Sequence, residues 1–174
     1  KKAAYVGEYS FQALMHYGSK ALKDPACVDP TEELRDLLQI AQPEIIYTHN
    51  LADKHPTHVA VTITVIQACR LLPAELRPKQ VLGCEVWRDL DWMVDKDKVV
   101  LDCTSHENLQ ASLLGVFDSQ VCGGKRYDLA TLGRRRAHAT YHESHGVDVA
   151  ELLNFAMDLT PLINDPNLSP VDHV

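Results

Sequence analysis

Apolar residues recur along this chain in two periods, one helical and one strand-like, and the switches between them predict its elements. Leu34, Leu37, Leu38 and Ala41 share one helical face. They follow Asp29-Pro30-Thr31-Glu32, a start in which Asp caps, Pro suits the first helical position and Glu32 can reach back to a free amide. Pro43 ends that helix, and Ile45-Ile46-Tyr47 reads as a short buried strand. Between residues 58 and 72 both periods are legible. Val59, Val61, Ile63 and Val65 alternate as in a strand, whereas Val61, Val65, Ala68, Cys69 and Leu72 form a cleaner helical stripe. The length of the segment decides for a buried helix. Residues 80–87 and 98–102 read as strands. Thr104-Ser105-His106-Glu107 has the form of a capping box, ahead of a helix that presents Leu109, Leu113, Val116 and Phe117 and ends near Gln120. Residues 148–151 predict the cap of a last helix with the stripe Val149, Leu152, Leu153, Ala156 and Met157. Residues 5–20 have helical composition and are assigned helix, and the Pro- and Asp-rich tail, residues 164–174, is expected to fray. Strands separated by helices imply an α/β layered fold with a largely parallel sheet.

The length of 174 residues points to a single domain, residues 1–174. Seventeen basic against 24 acidic residues give a net charge of -7, which argues against a duplex nucleic-acid binder or a polybasic membrane tether. No apolar run approaches the roughly 20 residues of a membrane span. The five cysteines (Cys27, Cys69, Cys84, Cys103 and Cys122) are scattered, without a C-x-x-C, which fits reduced thiols and a cytoplasmic location. The chain opens Lys1-Lys2-Ala3-Ala4 without an initiator Met, so it is expected to be a piece of something longer.

The strongest chemical signal is Tyr47-Thr48-His49-Asn50-Leu51-Ala52-Asp53-Lys54-His55-Pro56-Thr57-His58, past the end of a predicted strand and opening a helix. In α/β sheets ligands gather at that end of the strands. His55 and His58, three apart around a helix start, can aim at one point. Neutral imidazole is a common zinc ligand, and a catalytic zinc takes three protein ligands and a water. The spacing equally allows one histidine to be a helix cap, and nothing in it requires His49 to join them. Gly123-Gly124-Lys125 lacks the Walker spacing and reads as a turn. Arg134-Arg135-Arg136 reads as a solvated helix face, and His138, Tyr141, His142, Glu143 and His145 as a polar loop. Glu85, Trp87, Asp89, Asp91 and Trp92 mix carboxylates with aromatics as sugar-binding rims do, though buried aromatics near a strand end account for them equally well. There is no Gly-x-Ser-x-Gly elbow.

Asp53-Lys54-His55-Pro56-Thr57-His58 resembles the second signature of the PIG-L/LmbE-like N-deacetylase superfamily, usually Asp-Arg/Lys-His-Pro-Asp-His. The order downstream is similar as well: a strand with Glu85 and Trp87, then Lys98 to Asp102, then a helix ending Ser119-Gln120, then an Arg-rich helix and Tyr141-His142-Glu143. The resemblance covers residues 29–146. It implies a Rossmann-like three-layer fold and a zinc-dependent hydrolase that removes the N-acetyl group of an amino sugar or related amide, a zinc-activated water attacking the acetyl carbonyl. It implies that His58 is a zinc ligand and that His55 is the protonated partner at the oxyanion or leaving nitrogen. Lys54, Asp53, Glu85 and Trp87 are its expected substrate contacts.

Two departures qualify the expectation. Thr57 stands where the family usually has Asp, and a hydroxyl cannot supply the negative charge that favours an imidazolium. The first signature, His-Pro-Asp-Asp, source of two zinc ligands and the general base, does not occur. The domain is therefore expected to lack its N-terminal strands, to hold zinc weakly and to be inactive by itself. An uncovered sheet edge would favour a homo-oligomer or association with the missing part. The alternative is a non-catalytic binding or assembly module on the same fold; a nucleotide-binding α/β domain lacks a glycine fingerprint and ranks last.

Overall fold

The computed structural model describes residues 1–174 and has a mixed α/β fold. Four short strands form one sheet in the order β1 (Ile45–His49), β2 (Gln80–Cys84), β4 (Leu153–Asp158), β3 (Lys98–Asp102). β1 and β2 are parallel, His49 lying opposite Cys84, and are joined by the helix α4 (Pro56–Leu71). β4 runs antiparallel to β2, with Leu82 opposite Asp158 and Gly83 opposite Met157. The sheet is therefore mixed, not largely parallel as expected. The βαβ crossover through α4 makes β1 and β2 parallel, whereas β4 enters between β2 and β3 with its direction reversed relative to β2.

β4 is also the clearest correction to the predicted elements, because residues 148–157 read as a capped helix. Phe155, Ala156 and Met157 are consecutive and all buried, as befits a central strand covered on both faces. Such a run is uniformly apolar, so it satisfies a helical stripe by default.

Length implies one domain; by its internal contacts the chain groups into two compact units, Met15–Val99 with Phe155–Val174 and Lys1–Leu14 with Val100–Asn154. In the first, α3 (Asp29–Ala41) and α4 pack together, and α4 also packs on β1 and on α8 (Thr160–Asn164). α4 resolves the ambiguity of its sequence in favour of helix. Pro56 opens it, and the hydroxyls of Thr62 and Thr64 donate to the carbonyls of His58 and Ala60, four residues back, at 3.0 Å. Val65, Ile66, Ala68, Cys69 and Leu72 are buried in the same unit as Val81, Leu82, Leu159, Leu162 and Ile163. α3 begins as predicted, but no side chain caps it: Val28 holds the cap position. β1 is an edge strand, with Ile45 and Tyr47 exposed rather than buried.

The tail has structure of its own. It carries α9 (Pro170–His173), capped by the Ser169 hydroxyl, and Arg70 donates to the carbonyls of Leu162, Asp165 and Leu168 at 2.6, 3.1 and 2.9 Å.

The second unit holds α5 (Glu107–Gly115), α6 (Asp118–Val121) and α7 (Tyr127–Tyr141). The predicted capping box is absent. His106 occupies the cap with φ 59°, and the Thr104 hydroxyl accepts instead from the Glu151 amide at 3.0 Å. Residues 5–20 are helical only at their ends, in α1 (Lys2–Val6) and α2 (Ser19–Leu22), consistent with a segment that has no apolar stripe to bury. The arginine run is not simply solvated: Arg135 donates to Gln110 and Arg136 to Asp148 and the Glu151 carbonyl. His138 is buried in α7 rather than in a loop. No helix is long and apolar enough to cross a membrane.

Candidate metal centre

The loop from β1 to α4 is built by two buried side chains. Asn50 is fully buried; its Oδ1 accepts from the Ala52 amide at 2.8 Å and its Nδ2 donates to the Gly83 carbonyl of β2 at 3.1 Å. The first bond is an Asx turn, the second a clamp that sets the loop against the neighbouring strand. Gly83 accommodates this approach. A Cβ there would lie 3.0 Å from Asn50 Nδ2, 3.2 Å from the His49 carbonyl oxygen and 2.8 Å from a methyl of Leu159.

Asp53 does the second half of the work. Its side chain is fully buried; Oδ1 accepts from the His55 amide at 2.7 Å and Oδ2 lies 2.9 Å from His58 Nδ1. His58 sits between two other imidazoles. His49 stacks on it at a centroid distance of 3.9 Å with the rings 2° from parallel, and His55 lies at 4.6 Å and 25°. Burial holds the His49 imidazole below its usual range, and the neighbouring His58 adds to that, while Asp53 opposes it. A ring kept neutral retains the lone pair a metal needs.

His55 is the N-cap of α4, its Nδ1 accepting from the Thr57 amide at 3.3 Å. A ring that accepts at Nδ1 carries its proton at Nε2, so capping and the imidazolium expected of His55 are alternative states of one side chain. Thr57 does not support His55 either: its hydroxyl pairs with Ser19 Oγ at 2.8 Å.

The other expected contacts divide. The Lys54 ammonium lies 4.9 Å from the Trp87 ring centroid, a cation–π pair beside the histidines in sequence. Glu85 is almost wholly buried, and its two oxygens accept from the amides of Trp87 at 2.9 Å and Arg88 at 2.6 Å. It shapes the loop that carries Trp87. Ser119 and Gln120 fall in α6 and its unit, Tyr141 and His142 at the end of α7.

No protein-family model matches the chain, and no curated protein does. The fold is shared, however. The chain is similar to the crystal structure of the conserved protein TT1542 from Thermus thermophilus, with a TM-score of 0.70 over 96% of this chain and 74% of that one. The two are 14% identical, so the likeness speaks for the α/β fold alone.

The donors themselves test whether a metal fits. His49, Asp53 and His58 each offer a ligand atom, and the three lie within 4.8 Å of one another. Two imidazoles and a carboxylate are the donor set of catalytic zinc sites. The set fits. His49 and Asn50 are what motif spacing alone underrates. The register of β1 puts His49 at the strand's last position, and Asn two residues before a loop amide is the signal for the Asx turn.

Proposed function

We propose that this chain carries the histidine side of a metal-dependent hydrolase of the LmbE/PIG-L type, directed at the N-acetyl group of an amino sugar or related amide. The observation behind this reading is the gathering of Asp53, His55 and His58 at the C-terminal end of β1, in the order Asp-Lys-His-Pro-Thr-His. The parallel β1–α4–β2 crossover supports the reading, since it sets the loop at the C-terminal end of a strand.

His49, Asp53 and His58 would hold a divalent ion, which when bound would supply Lewis-acid chemistry for the acyl carbonyl and for water. The remaining work belongs to side chains. Asp53 ties the His55 amide and the His58 ring into one loop. His55, with its proton on Nε2, donates a hydrogen bond to charge developing on the acyl oxygen or to the departing nitrogen. Lys54 and Trp87 form the rim that meets the sugar. His-Pro-Asp-Asp, the family's source of the proton acceptor, does not occur in these 174 residues. Recognition is therefore expected to exceed turnover.

The test compares N-acetylglucosamine with glucosamine by calorimetry on the zinc-loaded protein, alongside an acetate-release assay. Zinc-dependent preference for the N-acetylated sugar, lost in His55→Gln, is the expected result. Equal binding of the two sugars, or binding indifferent to zinc, would overturn it.

A second reading, a non-catalytic binding or assembly module, draws on one observation. Asp53, Glu85 and His55 all have structural employment, holding backbone amides of the loops they sit in. On that reading neither sugar binds.

A further inference from the structure

Asp53 is a buried carboxylate with an unusual set of neighbours. Its ion-pair partner is His58 alone, an imidazole, and no lysine or arginine side chain reaches it. Two permanent cations of this loop and the one after β2 have partners of their own. Lys54 lies on the face of Trp87, and Arg88 donates to the Ala52 carbonyl at 3.3 Å and sits 4.0 Å from Glu85. Buried charges are stable when they are paired or coordinate a metal. Here the balance of charge calls for a cation from outside, and two imidazoles flank the place it would occupy.

We propose that His49, Asp53 and His58 form a self-contained site for one borderline-soft divalent ion of the zinc class. The resemblance implies only His58 as a ligand from this stretch; the geometry adds His49 and Asp53. The donors are two nitrogens and one oxygen, which disfavours the hard ions Ca²⁺ and Mg²⁺, whose sites are built of oxygens. Three protein ligands leave a coordination position open, unlike a closed structural zinc site. The present spread of up to 4.8 Å between donor atoms exceeds the roughly 3.4 Å separation of ligands around a tetrahedral zinc, so binding draws the three inward and tilts the stacked rings apart.

This site shares its ion with the hydrolase reading but not that reading's chemistry. The test is titration of the metal-free chain with Co²⁺, followed by its visible absorption, and with Zn²⁺ by calorimetry. One ion per chain is expected, with His49→Gln, Asp53→Asn and His58→Gln each weakening it by about tenfold or more; His145→Gln is the control and leaves it unchanged. Retained affinity in His49→Gln, or no binding by the wild-type chain, overturns the proposal. Because these variants can perturb folding, nitrogen NMR of the wild-type imidazoles provides an independent reading: zinc must shift both the His49 and the His58 rings, and a shift confined to other histidines refutes the site. Metal binding through all three donors without any preference for N-acetylated sugar leaves the site standing and removes the hydrolase reading. Sugar recognition that depends on zinc but survives His49→Gln with full affinity does the reverse.

Discussion

Replacing Asn50 by alanine tests how the site is held without touching a metal donor. One buried and one half-buried backbone group lose their partner, the Gly83 carbonyl and the Ala52 amide. Each orphaned group costs about 1–3 kcal/mol, so the pair costs about 4 kcal/mol. Unfolding entropy of about 2.1 cal/mol/K per residue gives about 0.37 kcal/mol/K for 174 residues, which converts that loss into a fall of about 11 °C in melting temperature. Thermal melts of the metal-free protein by circular dichroism measure it directly. Asn50→Asp sharpens the result. It keeps an acceptor for the Ala52 amide but sets a second acceptor against the Gly83 carbonyl, so it destabilises at neutral pH and recovers as acid protonates the carboxyl. Zinc affinity should fall in both variants, since His49 and Asp53 flank the loop that Asn50 secures. An Asn50→Ala protein that melts within about 2 °C of wild type, well under the expected shift, with unchanged zinc affinity, would refute this account of the loop.

Four further outcomes follow from the fold. Burial pushes the Cys69 thiol from 9.0 up to about 11; the unfolded thiol ionises first, so stability is full below pH 9 and is lost as pH rises toward 11, read from denaturant midpoints. At pH 8 an alkylating reagent should label exposed Cys122 and spare Cys69. His49 works in the opposite direction on the pH scale: its depressed imidazole stays neutral where the unfolded one takes up a proton, so metal-free stability declines as pH falls below 6.5, and His49→Gln flattens that decline. Arg70→Lys replaces a planar fork on three carbonyls by one ammonium, so proteolysis beyond Asn164 should accelerate; equal digestion rates would count against the anchoring role of Arg70.

Much of the local structure was legible in the residues. α3, α4, β1 and β3 follow from apolar periodicity and Pro placement, because those signals act within one or two turns. Asp53 to His58 stands out as the candidate chemical centre, since a His-Pro helix start after a strand is a local pattern. β4 was not legible. The short apolar stretch Phe155-Ala156-Met157 is compatible with helix and strand alike, and only its insertion between β2 and β3 decides. The capping box at Thr104 failed for a similar reason, its hydroxyl being taken by Glu151, 47 residues on.

At the site itself the division falls in the same place. Sequence by itself determined that two imidazoles and a carboxylate stand within six residues of each other, at the opening of a helix. Only the tertiary structure brought His49 onto the face of His58, buried Asp53 without a lysine or arginine partner, and tied the loop to Gly83 through Asn50. Spacing along a chain sets which side chains can meet. Desolvation and strand register, which depend on residues far away, set which of them do and what charge they can bear.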